Sequence, residues 1–124
     1  MGGAPAILVV DDDEDIRDIV AMALRAMGYT VETAADGVEA IDLLAGGLRP
    51  SLVLLDMMMP RMDGEAFVLA LRRDPDVADV PVVLLSGHDA ACQKAADLRA
   101  SGCLVKPVEL DDLVETVARI VTKE

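Results

Sequence analysis

The chain reads as an α/β protein, five (βα) units forming a doubly wound, five-stranded parallel sheet in the order 2-1-3-4-5. Three observations predict it. Short, unbroken apolar runs alternate with helical stripes at a repeat of about 25 residues. Unbroken runs fit strands buried on both faces, as in a parallel sheet. Short connections between alternating elements require right-handed crossovers, which place helices on both sides of the sheet.

The strands come in two grades. Ala6 to Val10, Leu52 to Leu55 and Val80 to Leu85 are continuous apolar runs, with Pro81 near the start of the last, where a strand tolerates it. These three belong in the middle of the sheet. Thr30 to Thr33 alternates and Cys103 to Val105 is short, so both suit its edges. An order of 2-1-3-4-5 meets that condition.

The helices follow from apolar residues spaced three and four apart. Ile16, Ile19, Val20, Ala23, Leu24 and Met27 form the first stripe, which Gly28 ends. Val38, Ile41, Leu44 and Ala45 form the second, ended by Gly46 and Gly47. Glu65 to Arg73 and the Ala-rich stretch Asp89 to Ala100 are read as the third and fourth. Leu110, Leu113, Val114, Val117, Ile120 and Val121 form the last. Asp13 is placed to cap the first helix.

Composition narrows the function. The 124 residues suffice for one domain, 1–124 with a core of about 6–121, and 53% are hydrophobic. Lys and Arg number 11 against 23 Asp and Glu, a formal net charge of −12, which argues against direct nucleic-acid binding. With one Tyr and one Phe, aromatic stacking on bases is disfavoured too. The longest apolar runs, such as Ile19 to Leu24, fall far short of the roughly 20 residues of a membrane span. No basic-then-apolar leader is read, so a cytoplasmic location is expected. Cys92 and Cys103 form neither a CxxC motif nor a disulfide framework and are expected to be reduced, small, semi-buried residues.

In an open parallel sheet, ligands bind beyond the carboxyl ends of the strands. The first strand ends in Asp11, Asp12 and Asp13, the third in Asp56, the fourth in Ser86 and Gly87, the fifth in Lys106 and Pro107. The second delivers only Ala34, Ala35 and Asp36. Up to three carboxylates in one cleft must share a proton or a cation, and an Mg²⁺ site of carboxylates, water and phosphate answers this. There is no His or Cys cluster to favour zinc. Lys106 and Ser86 add an ammonium and a hydroxyl donor, so the set is suited to a phosphoryl group. Met57, Met58 and Met59 are adjacent and cannot converge on one soft metal, so they are read as packing and loop residues.

Ile7-Leu8-Val9-Val10-Asp11-Asp12, Leu54-Leu55-Asp56, Met59-Pro60, Met62-Asp63-Gly64, Ser86 and Lys106-Pro107 together resemble the receiver domain of bacterial two-component response regulators. The likeness runs from about Ala6 to Val121 and implies a CheY-like, flavodoxin-like fold. It implies that Asp56 is the phospho-acceptor, a nucleophile toward a phosphohistidine donor. Asp12 resembles the direct Mg²⁺ (or Mn²⁺) ligand and Asp11 a carboxylate acting mostly through water. Asp56 and the backbone carbonyl of Met58 complete the protein ligands. Lys106 would pair with a phosphoryl oxygen, and Ser86 would move to hydrogen-bond the group and carry the change outward. The Lys106–Pro107 peptide matches a position that is usually cis, and Gly64 fits a tight turn opening the third helix. The output face would be the fourth helix, the fifth strand and the fifth helix.

The implied protein is a phosphorylation-dependent switch rather than a classical enzyme, though it catalyses its own phosphorylation and dephosphorylation. Its partners would be a histidine kinase or a histidine phosphotransfer domain, and downstream a protein partner or effector domain. It would be either a stand-alone receiver or part of a larger regulator or hybrid kinase. The alternative is a degenerate receiver acting as a constitutive protein-binding module, against which the retained Asp11, Asp12, Asp56, Ser86 and Lys106 argue. Cys103 stands where the family often has an aromatic switch residue, and it has no ring to swing. His88, two residues after Ser86, is either a solvated loop residue or, with Met58, a group that tunes phosphate lifetime.

Overall fold

A computed structural model describes residues 6–59, 61–87, 92, 93 and 95–121. Its elements are β1 (Ala6–Val10), α1 (Glu14–Ala26), β2 (Thr30–Ala34), α2 (Gly37–Ala45) and β3 (Leu52–Asp56). Then come α3 (Gly64–Arg73), β4 (Val82–Ser86), β5 (Gly102–Val105) and α4 (Leu110–Val121). The strands form one sheet in the order β2-β1-β3-β4-β5, every neighbouring pair parallel. The two weaker strands lie at the edges, as their patterns predict.

Strand geometry divides the core in two, because successive side chains point to opposite faces. Leu8, Val10, Val53, Leu55, Val82 and Leu84 face α2 and α3, where Ala40, Leu44, Phe67, Val68 and Leu71 cover them. Ile7, Val9, Leu52, Leu54, Val83 and Leu85 face α1 and α4, under Val20, Ala21, Leu24, Leu113 and Val117. β3 and β4 are buried at every position, which is why their sequences show no polar alternation.

Boundaries differ from the sequence reading where backbone hydrogen bonding decides. β4 begins at Val82 rather than Val80. The Val80 N–H is taken by the Val77 carbonyl at 3.2 Å in the preceding turn, and Pro81 has no N–H to offer a ladder. β3 runs on through Asp56, so that carboxylate leaves the last position of a rigid central strand. The expected fourth helix, Asp89 to Ala100, falls partly outside the described residues. Its described stretch Ala95 to Arg99 runs as turns, with Arg99 in the left-handed region at φ 56°.

The cysteines correct the sequence reading. They are not reduced but joined, Cys92 to Cys103, with Cα atoms 5.6 Å apart. The reason is tertiary. Cys103 lies in β5, the strand paired to β4, and the folded chain sets Cys92 beside it. Spacing along the sequence carries no trace of that approach. No helix among the described residues is long and apolar enough to cross a membrane.

Candidate functional site

The site is built at the carboxyl edge of β1, β3 and β5. Asp11 directly follows β1 and is fully buried, and Asp12 beside it is exposed. Asp56 closes β3 with 4% of its surface exposed. Carboxylate oxygens of Asp11, Asp12 and Asp56 all lie within 4.8 Å of one another. Lys106 reaches in from the end of β5, its Nζ 3.1 Å from Asp11 Oδ2 and 3.5 Å from Asp56 Oδ1. The four residues that sequence order spreads over 96 positions are thus one cluster.

Local structure fixes each carboxylate. The Asp13 N–H donates to Asp11 Oδ1 at 2.9 Å, and Arg17 Nη1 donates to the Asp11 backbone carbonyl at 2.9 Å. Asp13 itself caps α1, accepting from the N–H groups of Asp15 and Ile16, as expected for a short acidic residue at that position. The Met58 N–H donates to Asp56 Oδ1 at 3.2 Å. The turn beyond Asp56 requires glycine at position 64. A Cβ there would stand 2.7 Å from Met57 Sδ and 2.8 Å from Met57 Cα. The Gly64 N–H bonds the Met57 carbonyl at 3.1 Å, and Asp63 caps α3 through the Ala66 N–H.

Charge inside the cluster is out of balance, with three carboxylates against one ammonium. Burial pushes the Asp56 carboxyl up to about 6. The Met58 N–H opposes this, the Asp11 charge adds to it, Lys106 opposes it, and a hydrogen bond with Asp12 adds to it. For Lys106, burial pulls downward, but the carboxylates of Asp11 and Asp56 together outweigh it and hold the ammonium above its ordinary range. All the donor atoms are oxygens, so the set fits a hard divalent cation such as Mg²⁺ and not a soft metal.

The remaining predicted positions divide. Ser86 ends β4, is 1% exposed, and accepts the Lys106 backbone N–H through its carbonyl at 2.6 Å. The Lys106–Pro107 peptide is cis. Met58 is 70% exposed at the mouth of the cluster, whereas Met57 and Met59 are buried in the core beneath α2 and α3. Cys103 is not in the cluster: it lies within β5 opposite Leu84, half-buried and tied to Cys92. His88 lies outside the described residues.

One feature of the rim escapes a reading of the sequence. Asp36 caps α2 and also holds Arg61, with Nε to Oδ2 at 2.5 Å and Nη2 to Oδ1 at 3.1 Å. Arg61's hydrogen bond holds the Asp36 carboxyl below its usual range. The pair ties the β3–α3 loop to the start of α2. Only the placement of Asp36 after β2 hinted at it.

Comparison with known proteins gives this geometry a family. The family model described as the response regulator receiver domain matches residues 7–118. The chain is 44% identical over 110 residues to the response regulator MprA of Mycobacterium sp. (strain KMS), covering 87% of this chain and 46% of that protein. It thus spans about half the length of the curated relatives it matches. Its structure resembles the chemotaxis response regulator CheY4 of Vibrio cholerae, with a TM-score of 0.86, 35% identity, and coverage of 94% of this chain and 98% of that one. It also resembles TrrA from Thermotoga maritima in complex with Mg(2+)-BeF, with a TM-score of 0.82, 30% identity, and the same coverage of 94% and 98%. The chain belongs to the response regulator receiver domain family.

Proposed function

We propose that this domain is a phospho-accepting switch in which Asp56 takes a phosphoryl group from a phosphohistidine. The observation that carries the reading is the buried Asp56 carboxylate, within 4.8 Å of the Asp11 and Asp12 oxygens and 3.5 Å from Lys106. An oxygen of Asp56 attacks phosphorus. The P–N bond to the donor histidine breaks as the new P–O bond forms, and the imidazole leaves with the electron pair. The product is an acyl phosphate on Asp56. Lys106 offsets charge on a phosphoryl oxygen, and the Ser86 hydroxyl donates to another.

Mg²⁺, or Mn²⁺, would be held by Asp11, Asp12, Asp56 and the Met58 backbone carbonyl, and it supplies positive charge against the phosphoryl oxygens. The Mg(2+)-BeF complex of the similar protein TrrA supports this choice of ion. The donor is a histidine kinase or histidine phosphotransfer domain, and the output is a change in affinity for a downstream protein partner or effector domain. A net charge of −12 favours a protein partner over direct DNA contact. In this reading the protein is a bacterial, cytoplasmic signalling component and not an enzyme in the turnover sense.

The test is intact mass after incubation with acetyl phosphate, with and without Mg²⁺, beside Asp56→Asn. One metal-dependent phosphoryl adduct, missing in the variant, is expected. Folded wild-type protein that gains no adduct refutes the reading.

A further inference from the structure

Arg17 is half-buried and stands in the first turn of α1, which starts at Glu14. Side chains of a helix lean toward its N-terminus, so a long one here reaches back over the loop that precedes the helix. Arg17 does so. Its Nη1 donates to the Asp11 backbone carbonyl at 2.9 Å, while its own N–H donates to the Asp13 carbonyl at 2.9 Å. The loop that carries Asp11 and Asp12 out of β1 is thereby closed by a side chain from the helix it leads into. The Asp11 side chain is fixed separately, by the Asp13 N–H at one oxygen and by Lys106 Nζ at the other.

Asp12 is supported differently. It is exposed, so packing does little to hold it, and it stands in a cluster whose carboxylate oxygens lie within 4.8 Å of one another and repel. The carbonyl that Arg17 holds belongs to the Asp11–Asp12 peptide. That unit is planar, so fixing its C=O fixes the direction in which Asp12 leaves. The charge of Arg17 alone acts the other way, because a cation beside three carboxylates competes with Mg²⁺ for them. Geometry and charge therefore predict opposite signs for the loss of Arg17.

We propose that Arg17 is a positioning residue for the cation site, an inference that rests on reading the Asp11, Asp12 and Asp56 cluster as an Mg²⁺ site. By holding the Asp11–Asp12 peptide, Arg17 keeps the Asp12 carboxylate where it converges with Asp11 and Asp56 on one ion. Groups that orient metal ligands from behind set affinity by about 10- to 100-fold, because a ligand that must be reoriented adds a cost to binding. At saturating Mg²⁺ the ion itself draws the carboxylates into place. Loss of Arg17 therefore raises the Mg²⁺ needed for phosphoryl uptake and leaves the maximal rate little changed.

Calorimetric titration of the full chain with MgCl₂ compares wild type, Arg17→Met, Arg17→Lys and Asp13→Ala. Methionine keeps an apolar stem but neither donor nor charge. Its Kd for Mg²⁺ should rise about 10-fold or more. The Mg²⁺ concentration for half-maximal uptake from acetyl phosphate should rise by the same factor, with the maximal rate little changed. Arg17→Lys keeps a charge and a donor and should bind Mg²⁺ more tightly than Arg17→Met. Asp13→Ala removes the cap of the same helix without touching the Asp11 carbonyl, and should bind close to wild type. Urea unfolding in EDTA shows which variants are folded. Should Arg17→Met fail to fold, Arg17→Gln, two atoms shorter and uncharged, takes its place. Binding by the uncharged variant equal to or tighter than wild type overturns the proposal and leaves only a charge effect. An equal loss in Asp13→Ala overturns it too, since that marks a general loosening of α1, as does Arg17→Lys binding no tighter than the uncharged variant. Folded wild-type protein that binds no Mg²⁺ overturns the cation-site reading instead, and the role of Arg17 falls with it.

Discussion

Asp56→Asn should make the metal-free domain more stable, and the gain should grow with pH. The carboxyl of Asp56 ionises near 3.8 when unfolded and about 6 when folded, with burial the main cause. Its folded pKa is raised, so unfolding releases a proton between these values and stability falls as pH rises through that window. A shift of roughly two units corresponds to about 3 kcal/mol at pH 8 and to less than about 1 kcal/mol at pH 4. Asparagine has nearly the same shape and still accepts the Met58 N–H. Lys106 keeps Asp11 at 3.1 Å, so it is not left without a partner. Urea unfolding in EDTA at pH 4, 6 and 8 measures the difference directly. The variant should exceed wild type by about 2–3 kcal/mol at pH 8, and the two should converge toward pH 4. Saturating Mg²⁺ should narrow the gap at pH 8, because an ion held by the wild-type carboxylates stabilises only the folded state. A difference that is absent, or that does not change with pH, refutes the account of a crowded, undercompensated carboxylate cluster.

Other perturbations test separate parts of the site. Lys106→Ala should lower the rate of phosphoryl uptake from acetyl phosphate by about 10²-fold or more while leaving Mg²⁺ binding intact or tighter, measured by mass and by calorimetry. Gly64→Ala forces a Cβ to within 2.8 Å of the Met57 backbone. It should cost about 2–3 kcal/mol in urea unfolding, and an unchanged midpoint would show that the turn can yield. Asp13→Ala removes the acceptor for two N–H groups at the start of α1. About 1 kcal/mol of stability should be lost, with Mg²⁺ affinity little changed.

Much of the fold was legible because backbone geometry imprints a period on the chain. Val53, Leu54 and Leu55 are apolar without alternation because helices cover both faces of β3, and that pattern alone points to a parallel sheet with two helical layers. The weak alternation of Thr30 to Thr33 marked an edge strand for the same reason. The cluster was legible as well. Parallel strands all deliver their last residues to one edge, so Asp11, Asp56, Ser86 and Lys106 share an edge once the strands are recognised. Asp13 as the cap of α1 followed from residue type and position.

Other features depend on distances that no local pattern encodes. The sequence could place Asp56 near Asp11 and Lys106, but only the packed structure decided that burial outweighs the nearby ammonium and raises its pKa. The Arg61 contact with Asp36 joins residues 25 apart through the meeting of two loops. The sharpest case is the cysteine pair. Two cysteines 11 residues apart in a chain of this composition read as reduced, yet the tertiary structure sets their Cα atoms 5.6 Å apart and joins them. Period and residue type are local properties, set by the backbone within each element. Whether two groups touch, and what that does to their charge or their bonds, is decided only when the elements close on one another.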